Sequence, residues 1–253
     1  MKPIDYTGKT AVITGAGSGM GLCASRELAV LGANVIMCDI DADAVDKAAK
    51  DINGGDAKGH AYPCVCDVRK FSDAQKAAAL ALDKTRRIDL LATFAGGYEP
   101  RMCGTCGTAF YEQPVEVLDW GIDVNLKGPI YFARACMPAM VNARSGVICC
   151  IGSVTGFEGD GNGAMYGTAK SGLFNFVKGL AQAGAPHGVR AFCVTPGPVM
   201  TRPGMANMKT LQGRQSLPNE LVDFILYLAS ENGASVTGSN HVMDCGRLAM
   251  QPQ

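Results

Sequence analysis

Short, uninterrupted apolar runs alternate with stretches of helical periodicity along nearly the whole chain. Thr10–Thr14 (TAVIT) predicts a buried strand, followed by a glycine-rich turn and a helix from about Gly19 to Leu31. Gly32-Ala33 punctuates, and Asn34–Cys38 predicts a second strand that ends at Asp39. Residues 41–51 (DADAVDKAAKD) predict an exposed helix whose first turn is acidic, as a helix N-terminus favours. A third strand is expected at Ala61–Cys66, an alanine-rich helix over 72–85, and a fourth strand at Ile88–Phe94, closed by Ala95-Gly96-Gly97. A loop then runs from Tyr98 to Gln113, and 114–142 predicts two turns of loop and a long helix. Gly146–Ile151 is a fifth strand, 164–183 a long helix, Val189–Val194 a sixth strand, Asn219–Ser230 a helix and His241–Asp244 a seventh strand. Strands that are apolar throughout, separated by helices, predict a parallel sheet covered on both faces. The fold class is therefore α/β and doubly wound, with about seven strands flanked by helices. No linker, repeat or low-complexity tract divides residues 1–253, so a single domain is expected.

Composition narrows the function classes. The chain has 253 residues, 47% of them hydrophobic, and its 23 basic side chains balance 23 acidic ones. That is enough length for a sizeable core, too apolar for a disordered chain, and too neutral to argue for nucleic acid or an anionic membrane as partner. No apolar run reaches the roughly 18 residues of a membrane span, and the opening MKPIDY lacks the apolar stretch of a secretory signal. A cytoplasmic protein is expected. Eleven cysteines, an odd number, suit reduced thiols, with Cys23, Cys38, Cys149, Cys150 and Cys193 as small core residues. Only Cys103-Gly-Thr-Cys106 has metal or redox spacing, and His60, His187 and His241 are too scattered to complete a zinc site, so no metal is expected.

Thr14-Gly-Ala-Gly-Ser-Gly-Met-Gly21 lies where a phosphate-cradling turn belongs, between the first strand and the first helix. Glycines there let backbone amides approach a pyrophosphate, and the helix N-terminus adds a favourable dipole. Asp39 ends the second strand 18 residues after Gly21, where a carboxylate can bind a ribose diol and would repel a 2′-phosphate. Neither Ser18, Met20 nor Ile40 supplies a cation for such a phosphate, so NAD is favoured over NADP as cofactor. Tyr166 and Lys170, at i and i+4, share one helix face. A phenol titrates near ~10 and works as an acid–base at neutral pH only when a neighbour stabilises the phenolate, a role open to Lys170. Ser153 follows the fifth strand, at the end of the sheet where ligands collect.

With these residues in this order, the chain resembles the classical short-chain dehydrogenase/reductase family. The resemblance takes in the glycine motif 14–21, Asp39, Asp67-Val68, Ala95-Gly96, Asn125, Ser153, Tyr166/Lys170, Pro196-Gly197 with Thr201, and Asp244-Cys-Gly246. It implies a Rossmann fold and hydride transfer between NAD(H) and a secondary alcohol or ketone. Tyr166 would be the general acid–base and Lys170 would hold the nicotinamide ribose and lower the Tyr166 pKa. Ser153 would hold the substrate oxygen and Asn125 would support a relay water. Gly15, Ser18, Gly19, Met20 and Gly21 would cradle the pyrophosphate, Asp39 the ribose, and Asp67 and Val68 the adenine. Ala95, Gly96, Pro196, Val199 and Thr201 would complete the cofactor site together with Tyr166 and Lys170. A homo-oligomer, dimer or tetramer, is implied through the helices near 115–142 and 164–183, with the tail 246–253 able to reach a neighbour's site.

Three departures stand out. Thr93-Phe94 replaces the family's usual Asn-Asn before Ala-Gly; in the substrate loop at about 198–214, the stretch from Thr201 to Gln212 is short for the family's lid; and the loop 98–113 is long and rich in cysteine and aromatic residues. Tyr98, Met102, Phe110 and Tyr111 are the specificity candidates there, and Met200, Met205, Met208 and Leu211 give the lid an apolar, adaptable character, while Arg202 and Lys209 offer charge to an anionic group. A bulky apolar cyclic alcohol such as a hydroxysteroid is the leading substrate expectation. A sugar or polyol, or a 3-oxoacyl group, is the alternative. A non-catalytic NAD-sensing or scaffold role is the alternative of another class.

Overall fold

All seven predicted strands form, and all pair in parallel in one sheet. The structure is a computed structural model that describes residues 2–250. The strands are β1 (Thr10–Thr14), β2 (Asn34–Asp39), β3 (Ala61–Val65), β4 (Leu90–Thr93), β5 (Gly146–Ile151), β6 (Val189–Pro196) and β7 (Asn240–Met243). Their order, β3-β2-β1-β4-β5-β6-β7, is that of a doubly wound Rossmann sheet. Register is continuous across the centre: Val12 lies beside Ile36 on one side and Leu91 on the other.

Alternate strand residues serve opposite faces. Ile13, Met37, Cys149 and Phe192 point to the layer built by α1 (Gly19–Val30), α2 (Ala42–Asn53) and, near the C-terminus, the helix Pro218–Ala229. Val12, Ile36, Cys150 and Cys193 point to the other layer, where α3 (Phe71–Thr85) supplies a stripe of Ala74, Ala77, Ala78 and Ala81. Those alanines let α3 pack closely on the helix that carries Phe132, Cys136 and Met140. Both faces being covered is why the strands read as unbroken apolar runs.

The chain reverses its winding direction between β1 and β4, and the loops at the carboxyl ends of these strands part to leave a crevice. The remaining helices are α4 (Glu99–Met102), α5 (Val115–Ile122), α6 (Gly128–Ala143), α7 (Thr155–Glu158), α8 (Ala164–Gly184) and α9 (Pro218–Ala229), of which α4, α5, α7 and α8 border the crevice. β4 stops earlier than the apolar run 88–94 suggests, because the Ala95 amide turns to donate to the Thr14 side chain at 3.1 Å. Where a loop and then a helix were expected over 114–142, the chain is helical almost throughout. α5 runs into a five-residue π-helical turn, Asp123–Lys127, and on into α6. The side chain of Asn125 donates to the Gly121 carbonyl four residues back at 2.9 Å, standing in the helical ladder where the turn widens.

Cys38, Cys149, Cys150 and Cys193 are buried core side chains and Cys23 is half-buried, whereas Cys103 and Cys106 are exposed. Among the described residues no helix is long and apolar enough to cross a membrane. Of the tail expected to reach a neighbour, 251–253 lie outside the described residues; Arg247 folds back to an ion pair with Glu158 at 2.7 Å.

Candidate active site

The crevice is a cavity of about 740 Å³ running from Asp39 at one end to Tyr98 and Met208 at the other. Its floor is the turn after β1. Gly15 has φ +68°, and a Cβ there would lie 2.8 Å from the Ala95 amide nitrogen, so only glycine lets the two loops meet. Gly17 donates its N–H to Asp39 Oδ2 at 2.8 Å, and a Cβ at Gly17 would sit 3.0 Å from that oxygen. The Asp39 carboxylate is thereby fixed over the glycine turn, with Asp41 N–H donating to its other oxygen at 3.1 Å. Ser18, Gly19, Met20 and Gly21 line the same stretch at the start of α1, where free amides and the helix dipole favour an anion.

Asp67 and Val68 line the wall beyond β3. Sequence reasoning did not foresee that Asp67 is paired with Arg69, 2.8 Å away, whose guanidinium holds the carboxyl below its ordinary value. Ala95, Gly96, Pro196, Val199 and Thr201 all face the cavity as well. Thr201 reaches towards Gly19, so the start of the lid meets the glycine-turn end of the crevice.

Ser153, Tyr166 and Lys170 stand at the middle of the crevice, on the end of β5 and the first two turns of α8. Ser153 accepts from the Thr155 amide at 3.2 Å, which holds its hydroxyl at the strand end. Lys170 is 4% exposed and donates from Nζ to the Ile151 carbonyl at 2.7 Å. Its ammonium lies 5.6 Å from the centre of the Tyr166 ring. Burial lowers the Lys170 pKa to about 8. Burial likewise raises the Tyr166 phenol, while the Ser153 hydroxyl and the charges of Arg202 and Arg101 draw it down. The lowering expected from Lys170 is thus not what dominates in the protein alone; desolvation of the phenol does.

The Lys170 shift carries a stability prediction. Below pH 8 both folded and unfolded chains hold this proton, and the fold bears the cost of a buried charge. Between about 8 and the ordinary 10.5 the unfolded chain binds more protons, so the Lys170 contribution to stability rises with pH. Lys170→Met is expected to stabilise the ligand-free protein by about 1–2 kcal/mol at pH 7, after the Ile151 carbonyl loses its donor. That advantage should shrink towards pH 10. Thermal melts of both proteins at the two pH values check this, and a variant that melts lower at pH 7 contradicts it.

Asn125 is fully buried and does not line the cavity. Its amide donates to the Gly97 and Gly121 carbonyls and accepts from the Gly97 N–H, each at 2.9 Å. The side chain is therefore occupied in clamping the Gly96-Gly97 turn to the π-helical turn. Thr93, in the place of the family's Asn, leaves its hydroxyl buried and without a hydrogen-bond partner among the described residues, and Phe94 lines the cavity.

Of the four loop residues singled out for specificity, Tyr98 and Met102 line the crevice but Phe110 and Tyr111 do not. The loop turns outward after α4, leaving Tyr111 85% exposed. In the lid, Met205 and Met208 face inward and Leu211 outward. Glu99 was missed altogether. It is 1% exposed, and its carboxylate accepts from the Met165 N–H at 3.0 Å and the Tyr166 N–H at 3.1 Å, capping the helix that carries Tyr166 and Lys170. Arg101 and Trp120 also line the cavity. Only the contacts across the crevice reveal these roles.

The sheet order, the glycine turn and the serine, tyrosine and lysine at the crevice define a dinucleotide-binding oxidoreductase of a known kind. A family model for short chain dehydrogenase matches residues 9–212, and the chain belongs to the short-chain dehydrogenase/reductase family. It is 32% identical to Oxidoreductase UcpA of Salmonella typhimurium over 95% of this chain and 94% of the relative. It is 31% identical to trans-4-hydroxycyclohexanecarboxylate dehydrogenase of Sinomonas cyclohexanicum, covering 95% of this chain and 93% of that protein. Among solved structures, a 3-oxoacyl-[acyl-carrier protein] reductase with bound NAD from Brucella melitensis superposes with TM-score 0.86 at 28% identity, over 97% of this chain and 95% of that one. The chain is thus an oxidoreductase of the type that acts on alcohols and ketones.

Proposed function

We propose that the protein transfers a hydride between NAD(H) and a bulky cyclic secondary alcohol or its ketone. The observation that carries this reading is the meeting of Ser153, Tyr166 and Lys170 in the crevice that also holds the glycine turn and Asp39. The turn fits a dinucleotide: glycine at position 15 lets it pack against the loop at Ala95, the start of α1 at Ser18, Gly19, Met20 and Gly21 opens onto the cavity, and the Asp39 carboxylate faces the same space. Bound there, the nicotinamide supplies the hydride acceptor or donor.

Oxidation of an alcohol removes a hydride from carbon and a proton from oxygen. Tyr166 takes that proton, or returns it in reduction, and Ser153 hydrogen-bonds the same oxygen and fixes its position. Lys170, pinned by the Ile151 carbonyl, keeps a positive charge beside the phenol and favours the phenolate form. Glu99 and Asn125 act at one remove, setting α8 and the Gly96-Gly97 turn in place. Trp120, Met205 and Met208 offer an apolar wall that excludes water from the reacting carbon and suits a cyclic substrate body. The name of the Sinomonas relative gives a cyclic secondary alcohol as substrate, which supports this class over a polyol.

NAD is the proposed cofactor because Asp39 occupies the ribose end. Asp39→Asn is expected to raise KM for NAD about tenfold and to narrow the preference over NADP. Initial rates with both cofactors check this, and a wild-type protein faster with NADP overturns the assignment. A homo-oligomer built through α5–α6 and α8 belongs to the same proposal, with sedimentation as its test. The overall reading is tested by following reduced-nicotinamide absorbance with a panel of cyclic alcohols and ketones.

A further inference from the structure

Arg101 in α4 and Arg202 at the start of the lid are two cations of the crevice that the roles above leave unused. The other arginine lining the cavity is neutralised, Arg69 by Asp67 at 2.8 Å. Among the described residues no Asp or Glu oxygen comes within 4.0 Å of either Arg101 or Arg202. Of the acids lining the cavity, Asp160 lies at this mouth, its Oδ1 occupied by the Tyr98 hydroxyl at 3.1 Å and the Asn162 and Gly163 amides at 2.9 and 2.8 Å, and the buried Glu99 carboxylate is engaged with the Met165 and Tyr166 amides.

Both guanidinium groups open onto the cavity that Tyr166 lines. Burial, and then the charge of Arg101, hold Arg202 below its ordinary pKa, and both arginines draw down the Tyr166 phenol. Arg101 belongs to the Tyr166 end of the crevice, where a guanidinium nitrogen would lie 3.5 Å from a Cβ on Gly97, beside the turn clamped by Asn125; Arg202 follows Thr201 at the start of the lid and faces the same cavity. Like charges held together without a counter-ion disfavour each other, and an anion placed between them relieves that cost. A guanidinium fork matches the two oxygens of a carboxylate. Met102, Trp120, Met205 and Met208 lie around them to take an apolar body.

We propose that Arg101 and Arg202 form an anion subsite for the carboxylate of a hydroxy or oxo acid whose oxygen at the reacting carbon is held by Ser153 and Tyr166. The substrate would then be a cyclic oxo or hydroxy carboxylate, neither a neutral sterol nor a polyol. As an account of turnover this rests on the redox reading above; as a binding site it does not.

The test has a binding arm and a turnover arm. In the first, the unreactive cyclohexanecarboxylate and its methyl ester are titrated into the protein with NADH present, by calorimetry. In the second, 4-oxocyclohexanecarboxylate and its methyl ester are compared as substrates. The acid is expected to bind and to turn over better than the ester by about tenfold in Kd and in kcat/KM. Arg101→Gln and Arg202→Gln should each weaken the acid about tenfold more than the ester, chiefly through KM. Equal affinity for acid and ester in the wild-type protein overturns the proposal and needs no variant. So does a loss in Arg202→Gln that falls equally on NADH, acid and ester, because the charge would then serve the cofactor. A shift of the pH profile in both variants that is the same for acid and ester, with no discrimination between them, assigns the arginines to the phenol and also overturns it. Charge-dependent binding of the acid with reduction of neither ketone leaves the subsite standing and removes the redox reading. Equal reduction of both ketones does the reverse.

Discussion

Tyr166→Phe is expected to lower kcat by at least about 10³-fold while NADH still binds within a few-fold of the wild-type affinity. The phenol oxygen is the acid–base of the proposed reaction, and general acid–base groups contribute ~10²–10⁴ in rate. Its removal deletes the proton acceptor but keeps the ring, and so keeps the edge-on contact with Tyr98 at 6.2 Å between centroids. The backbone of Tyr166 is held from elsewhere, by the Glu99 carboxylate, so the helix start is untouched by the change. Stopped-flow absorbance with a saturating ketone, beside fluorescence titration of NADH, separates the two effects. A variant that retains more than a tenth of the wild-type rate would remove Tyr166 from the chemistry.

The second large effect is predicted at Gly21. A Cβ on this residue would lie 2.1 Å from the Gly15 carbonyl oxygen and 2.7 Å from its carbon. Those are backbone atoms of the turn itself, so no side-chain rotation relieves the clash, and α1 must shift away from the turn. Gly21→Ala is expected to cost about 2–3 kcal/mol, as overpacking commonly does, and to lower Tm by about 5–10 °C. Because the displaced atoms belong to the proposed phosphate cradle, NADH affinity should fall by about 100-fold or more, a loss of about 3 kcal/mol. Gly55→Ala is the control: its Cβ would meet only carbonyl oxygens at 3.6 and 3.7 Å, an ordinary contact far from the crevice. Melting curves and NADH titrations of both variants check the prediction. A Gly21→Ala protein that binds NADH normally contradicts the placement of the cofactor.

Much of this is legible in the amino-acid sequence. The strands announce themselves because a sheet covered on both faces requires Val12, Ile13, Ile36 and Met37 to be apolar in succession, whichever way each points. The glycine turn, Asp39, Ser153, Tyr166 and Lys170 are readable because their spacing along the chain is set by single strands and helical turns. What stayed hidden depends on contacts between distant segments. Glu99 meets Tyr166 across 67 positions of sequence, and nothing in its immediate surroundings marks a buried cap. The π-helical turn at Asp123–Lys127 goes with a hydrogen-bond set that Asn125 shares with Gly97, 28 positions earlier. Tyr98 and Tyr111 look alike in sequence, yet one enters the crevice and the other faces solvent, because α4 and the turn after it redirect the loop. Arg101 had no local signal beyond its charge; Arg202, which lines the same cavity from the lid, gives that charge meaning.

The central claim is that this crevice couples NAD(H) to a secondary alcohol or ketone. It is tested most directly by incubating the protein with NADH and a panel of cyclic ketones, neutral and carboxylated, and measuring both the reduced-nicotinamide absorbance and the alcohol formed. The account predicts loss of NADH matched one-to-one by alcohol with at least one ketone, faster with NADH than with NADPH, and abolished in Tyr166→Phe. Reduction that proceeds undiminished in Tyr166→Phe, or NADH that binds tightly while no ketone of the panel is reduced, would contradict it.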